Sequence, residues 1–335
     1  MKRAIRGLAK TVAVRTGGLS AYHKLKHREH LTVMMFHRVL PVHLMASADP
    51  EYAISTNLLE RLMTFAAAHY NIVALDDVLG SHRKEKPLPP RPLLITFDDG
   101  WDDNAVYAAP VLASAKIPWT LFAASDAVSA GDRWWQEVLL AALRSGRVTH
   151  ADLRAWPGPE GGTIVSPDSD SDLAILMLYG SLPPGKRDEL LNRHLDGNSM
   201  PVTPRHMASW DTLRALQRSG VSIGGHGASH LPLTMLADPV GDLREARSAL
   251  GRELGNRACT TMSFPHGRYS PAIVEAARTL GMELLFTSDP VLNACPGGWL
   301  ASDVIGRIPI STGSVADGRG HLDPERVMPW LMLRQ

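Results

Sequence analysis

The sequence predicts an α/β fold built on parallel strands, and three observations predict it. From His30 onward, short apolar runs alternate with amphipathic helical stretches. One apolar run, residues 92–97, ends on Asp98-Asp99-Gly100. Another, residues 221–225, ends on His226-Gly227-Ala228-Ser229-His230. Parallel strands present their C-terminal ends on one face, so the two polar motifs converge there.

In chain order, residues 31–36 read as a strand. Residues 56–69 read as a helix with Leu58, Leu59, Leu62 and Phe65 on one side. A short strand at 71–75 and the carboxylate-bearing strand at 92–97 follow, then a helix at 104–115 and a strand at 119–123. Ser209 caps a helix that runs to Arg218. Residues 221–225 are the next strand, and 238–254 a long helix ended by Gly255. Strands at 260–264 and 283–287 flank a helix at 271–280. Residues 133–207 break the alternation. They contain helical stretches up to Arg144, at 172–179 and at 186–195, and a Pro-, Gly-, Ser- and Asp-rich loop at 157–171. This is read as an α-helical insertion emerging from the face that carries the site; a buttress without substrate contact is the alternative. Trp134 and Trp135 at its start read as core residues before sugar-stacking ones.

The chain has 335 residues, enough for one large domain or two modest ones, and a formal net charge of +1, so no global field points to nucleic acid. Its two cysteines, Cys259 and Cys295, lack metal-ligand spacing and read as buried thiols, a usage that suits a reducing compartment. No apolar run approaches the ~20 residues of a membrane span. In the first thirty residues Lys2, Arg3, Arg6, Lys10, Arg15, Lys24, Lys26 and Arg28 face only Glu29, and Ile5, Leu8, Ala9 and Val12 recur at helical spacing. Lys10 and Arg15 interrupt any signal-peptide core. The segment is either a solvated helix packed on the domain or a basic amphipathic helix on an anionic membrane; a mitochondrial-type presequence ranks below both. The expected location is the cytoplasm, with or without peripheral attachment at the inner membrane face.

Adjacent carboxylates repel, and a cation or a proton on one of them relieves the repulsion. Two imidazoles four residues apart, set among glycines, can close on one metal. One Asp and two His leave room for water, the open arrangement of a catalytic zinc, and free the other Asp to act as a base. Alone, Asp-Asp-Gly reads as a turn and His-x-x-x-His as two unrelated histidines. At the ends of two strands on one face they read as one site. The helix-borne histidine pair of metalloproteases does not fit, since Gly224, Gly225 and Gly227 disfavour a helix and no Glu follows His226.

In four places the chain resembles the polysaccharide deacetylases of the NodB-homology group, carbohydrate esterase family 4. These are Leu94-Ile95-Thr96-Phe97-Asp98-Asp99-Gly100, Gly224-Gly225-His226-Gly227-Ala228-Ser229-His230, Ser263-Phe264-Pro265-His266-Gly267 and Val33-Met34-Met35-Phe36-His37-Arg38-Val39. The last two are similar to the Tyr-Pro-Tyr-Gly and Met-Tyr-His-Arg-Val motifs of the branch that includes poly-N-acetylglucosamine deacetylases. The resemblance implies a distorted (β/α) barrel of seven strands over residues 31–310, interrupted by the insertion, between a basic segment at 1–30 and a tail at 311–335.

The same resemblance implies site roles. Asp98 becomes the base, and Asp99, His226 and His230 the ligands of one divalent metal. Zinc is the default, and cobalt, nickel or iron also suit the donor set. The backbone N–H of His266 becomes a candidate oxyanion donor; the branch usually carries Tyr there, so no role for the ring transfers. No late histidine motif follows, His321 being the last histidine, so His37 becomes the acid for the leaving amine. Arg307 stands in for the family's absent motif-three arginine as a partner that keeps Asp98 ionised. Asp289 is a further candidate substrate contact. The implied activity is hydrolytic deacetylation of an N-acetylated sugar in a polysaccharide, oligosaccharide or lipid-linked glycan. A deacylase or O-acetyl esterase would use the same chemistry. A silent carbohydrate-binding barrel is the reading from another class, and the intact Asp98, Asp99, His226 and His230 speak against it.

Overall fold

The computed structural model describes residues 12, 14, 16–47, 51–130, 135–156, 171–195 and 206–334. Ile5, Leu8, Ala9, Trp134 and nearly all of the loop read at 157–171 lie outside the described residues.

Strands β1 (His30–Phe36), β2 (Arg38–Leu40), β3 (Ala53–Ser55), β4 (Asn71–Ile72), β5 (Pro92–Phe97) and β6 (Thr120–Ala123) precede the insertion. After it come β7 (Ser222–Gly225), β8 (Thr261–Ser263), β9 (Leu284–Phe286), β10 (Asn293–Ala294), β11 (Val304–Ile305) and β12 (Ile308–Pro309). β1, β5, β6, β7, β8 and β9 run parallel in that order; β11 pairs with β9, and β12 pairs back onto β1. Only Gly306 and Arg307 separate β11 from β12. These eight parallel segments therefore close a distorted barrel of seven strand positions, the last one interrupted. β4 extends β5, β10 lies antiparallel to β1, and β2 and β3 form a small sheet of their own.

Strands under a shell of helices are buried on both faces, and every residue of β5 is buried. Phe122 and Phe286, on strands separated by two others, meet with ring centroids 4.9 Å apart, so their rings fill the barrel interior. Gly224 makes room for them, because a Cβ there would lie 2.6 Å from the Phe122 ring. Outside, the helix Thr56–His69 buries Leu58, Leu59 and Leu62, and its Ser55 cap accepts from Leu58 N. Ser209 accepts from Thr212 N at 3.0 Å to start Trp210–Arg218. Asp238 caps Pro239–Leu254, which ends at Gly255 with φ 85°.

Three segments differ from expectation. The strand at 71–75 stops at Ile72, and a helix, Leu75–His82, begins where Asp77 accepts from the backbone of Ala74. Residues 104–115 are a π turn, Asn104–Ala108, leading into Ala109–Ser114; the Asn104 amide points back to the His37 carbonyl. Residues 311–335 are not a tail: helices Thr312–Val315 and Pro324–Met332 bury Val315, Val327, Leu331 and Met332 in the main core.

The insertion folds as Trp135–Arg144, His150–Ala155, Asp172–Gly180 and Pro184–His194. Its Leu139, Leu153, Ile175 and Tyr179 share one core with Trp101, Ala124, Met207 and Leu231 from the barrel's loops. A Cβ at Gly180 would run into Leu231. The insertion thus rests directly on the loop that carries the histidine motif.

Candidate metal centre and active site

Backbone ladders bring the motifs together. Asp98 N donates to Phe36 O and His226 N to Ala123 O, both at 2.9 Å. The carboxylates, His37 and the first histidine therefore sit at one end of the barrel. Asp99 Oδ1 lies 3.2 Å from His226 Nε2 and 3.0 Å from His230 Nε2. The three donors lie within 4.8 Å of one another, the one cluster of this kind among the described residues. His226 Nδ1–H donates to the Ser263 carbonyl at 2.9 Å, which fixes the tautomer and leaves the Nε2 lone pair towards Asp99, as in a metal-bound imidazole. Trp101 Nε1–H donates to Asp99 Oδ2 at 2.8 Å, leaving Oδ1 on the side of the histidines. One carboxylate and two oriented imidazoles fit a divalent metal with open positions.

The backbone is strained to reach this arrangement. Asp99, His230 and His266 have φ of 74°, 58° and 55°, at a cost of about 1–3 kcal/mol each for residues with side chains. Asp242, on Pro239–Leu254, holds the histidine loop: its carboxylate accepts from Ala228 N at 2.8 Å and Ser229 N at 2.9 Å.

Asp98 is paired differently. The fully buried Arg307 donates through Nη1 and Nη2 to its two oxygens at 2.7 and 2.6 Å. Arg307 is itself fixed by Nε–H to Thr287 O at 2.8 Å and by Nη2–H to Ser263 Oγ at 2.7 Å. Burial pushes the Asp98 carboxyl up, but Arg307 and His226 outweigh it and hold the pKa below the usual carboxylate value. Asp99 is held well below that value, again against burial, by His230 first and by His226 beside it. Burial lowers His226, yet Asp98 and Asp99 raise it on balance. Negative charge concentrated in this way is the electrostatic setting a divalent cation requires.

A cleft of about 750 Å³ opens over these groups, with His37 and His266 in its walls. The His37 ring packs edge-on to Tyr52 with centroids 5.2 Å apart. Burial lowers its pKa, and Asp99 and Asp98 offset only part of the effect. The His266 ring donates from Nε2 to the His230 carbonyl at 3.2 Å, so it braces the metal-ligand loop, a contact the sequence did not suggest. Asp289 is tied up elsewhere: it accepts from the Tyr269 hydroxyl at 2.7 Å, and its carbonyl accepts from Arg307 N.

Sequence reasoning missed Trp101, Ser263, Asp242 and the Arg38–Asp103 pair. Arg38 Nε–H donates to Asp103 at 2.8 Å, and Val39 N donates to the same carboxylate at 3.0 Å, which ties the β5 loop to the His37 segment. Burial raises Asp103 to about 6 even against Arg38. Trp101 had a signal, since it directly follows Asp-Asp-Gly. Asp242 had none, being one acid among several charged residues on a long helix.

The family profile described as polysaccharide deacetylase matches residues 85–153 and 189–285. At the level of the family, this chain is a homologue of the polysaccharide deacetylases. No curated protein sequence matches it. Among solved structures it is similar in fold to the deacetylase PplD of Streptococcus pyogenes in complex with acetate, at 13% identity and TM-score 0.56 over 90% of this chain and 98% of that one. It is also similar to IcaB from Ammonifex degensii, at 19% and 0.57 over 91% and 97%. A de-N-acetylase from Aggregatibacter actinomycetemcomitans matches at 16% and 0.52 over 83% and 94%.

Proposed function

We propose that this chain is a metal-dependent hydrolase that deacetylates an N-acetylated sugar, leaving a free amine and acetate. The observation that carries this reading is Asp98, buried and locked to Arg307, beside the Asp99–His226–His230 cluster at the floor of an open cleft. Homology to the polysaccharide deacetylases supplies the substrate class.

Asp99, His226 and His230 would hold the metal, with zinc the default for this donor set. When bound, it polarises the amide carbonyl and lowers the pKa of the attacking water. Asp98 accepts the proton of that water, kept ionised and oriented by the two parallel hydrogen bonds from Arg307. The His266 N–H serves as donor to the developing oxyanion. His37 delivers a proton to the departing amine; its lowered pKa makes it the stronger acid once it is charged. The His37 motif favours a glycan akin to poly-N-acetylglucosamine, and acetate, named with the streptococcal structure, is the product expected here.

We also infer attachment to an anionic membrane through the N-terminal segment. The helix Gly18–Lys26 leaves Leu25 81% and Tyr22 40% exposed beside Lys24 and Lys26. No helix of the described residues is long and apolar enough to cross a membrane.

The deciding experiment is acetate release from N-acetylglucosamine oligomers, with metal content measured alongside. Activity should vanish on chelation and return with zinc or cobalt. The His226→Ala/His230→Ala double variant should bind no metal; stoichiometric metal in it would overturn the ligand set.

A further inference from the structure

We propose that the helical insertion builds a subsite for the sugar unit next to the one deacetylated, with Gln136 Oε1 accepting a hydrogen bond from one of its hydroxyls. The inference rests on the deacetylase reading. Two insertion helices reach the cleft in the same manner. Trp135–Arg144 contributes Gln136 and Leu140, and Asp172–Gly180 contributes Asp172 and Leu176. In each case an acceptor is followed four positions on by a leucine, the spacing of neighbours on one helix face.

Gln136 is 2% exposed, and its Nε2–H donates to the Ser229 carbonyl at 3.2 Å. That bond fixes the amide, and its Oε1 is left buried with no hydrogen-bond partner. A buried amide oxygen without a donor is rare in folded proteins and calls for an explanation. A ligand hydroxyl arriving in the cleft supplies one. Ser229 adjoins His230, so this acceptor borders the metal centre. Asp172, one oxygen of which already faces His150 Nε2 at 3.0 Å, adds a second acceptor through its other oxygen, and its carboxylate disfavours an anionic group. Leu140 and Leu176 supply apolar surface for the C–H face of a pyranose ring. Acceptors set around an apolar patch select a neutral ring that donates hydrogen bonds. An alkyl chain would leave Gln136 unsatisfied.

The test is kcat/KM for acetate release from three substrates: N-acetylglucosamine, its trimer and its octyl glycoside. The wild type should prefer the trimer. In Gln136→Leu the trimer-to-monomer preference should fall about tenfold, the worth of roughly one hydrogen bond, chiefly through KM. Asp172→Ala, at an exposed helix start, should reduce the same ratio and carries little risk to folding. Equal losses on trimer and monomer, or loss of metal in Gln136→Leu, would overturn the proposal and leave Gln136 as a brace for Ser229. A wild-type preference for the octyl glycoside over the trimer would overturn it in favour of a lipid. Hydrolysis of an aryl acetate with no acetate from any of the three sugars would overturn the deacetylase reading itself, and this inference with it.

Discussion

Asp98 and Asp99 share a peptide bond and almost the same burial, yet their partners are of different chemical kinds. Asp99 faces two imidazoles, whereas Asp98 faces a guanidinium that no metal displaces. Asp98→Asn should therefore keep metal and lose roughly 10²–10⁴-fold in turnover, the span of a general base; loss of metal instead would show that the two roles are reversed. Removing Arg307 strands a buried carboxylate, so Arg307→Met should cost about 3–5 kcal/mol in denaturant unfolding. A variant as stable as the wild type would contradict the pairing. His37→Ala should impair amide hydrolysis far more than hydrolysis of an activated aryl acetate, whose leaving group hardly needs a proton; equal losses would assign His37 to packing. The chain spells out the residues that terminate strands, which is why Asp98, Asp99, His226 and His230 could be picked out before any geometry. Ser263 opens a motif the sequence displays, but its contact with Asp98 spans 165 residues and only the fold reveals it; Asp242 holds Ala228 N from 14 residues on, and nothing in its local sequence separates it from ordinary helix positions.

Among the elements, those with caps were the most legible. Ser209 and Gly255 mark their helices because capping is a local matter of side chain and backbone conformation. The docking of the insertion was not legible, since it depends on Gly180 meeting Leu231 from a distant loop. In the helix Gly18–Lys26, read as either packed on the domain or laid on a membrane, the histidines are what sequence reasoning passed over. It is anchored by histidines: His23 is 1% exposed with neither ring nitrogen paired, stacks on His27 at 5.2 Å and meets Tyr70 at 4.5 Å. His27 Nε2–H donates to Met332 O at 2.7 Å. Burial, with His27, Arg91 and His69 nearby, pushes His23 down to about 3. Released, the ring would titrate near 6.5. The detached helix then binds a proton that the docked one refuses, so docking is fully stable above pH 6.5 and weakens as pH falls from there towards 3. Amide exchange over residues 18–27 should quicken between pH 7.5 and 5, once corrected for intrinsic rates, and His23→Leu should flatten that dependence. Equal protection at both pH values would rule the cluster out as the anchor.

For the whole molecule, strand polarity sets what faces what. β1 begins at His30, against the basic helix, and leads into His37 at the cleft. Its seven residues span about 20 Å at the rise of a β-strand. The described helix Gly18–Lys26 of the basic segment and the catalytic mouth therefore lie at opposite ends of the barrel. A membrane held at the helix Gly18–Lys26 would face the end of the barrel away from the cleft, and the insertion, which lines the cleft, would be too distant to shield a sugar whose lipid remains in that bilayer. Each basic residue near an anionic surface contributes about 1 kcal/mol, screened by salt, and Leu25 and Tyr22 add a small apolar contact. Full-length protein should sediment with anionic vesicles at low salt and less at high salt, and a version lacking residues 1–29 should not sediment. Because the mouth points away, vesicle-bound protein should deacetylate soluble N-acetylglucosamine oligomers as fast as free protein. Strong inhibition on binding would place the cleft against the membrane and contradict this polarity. Absence of binding by the full-length chain would end the attachment proposal and leave the deacetylase reading intact.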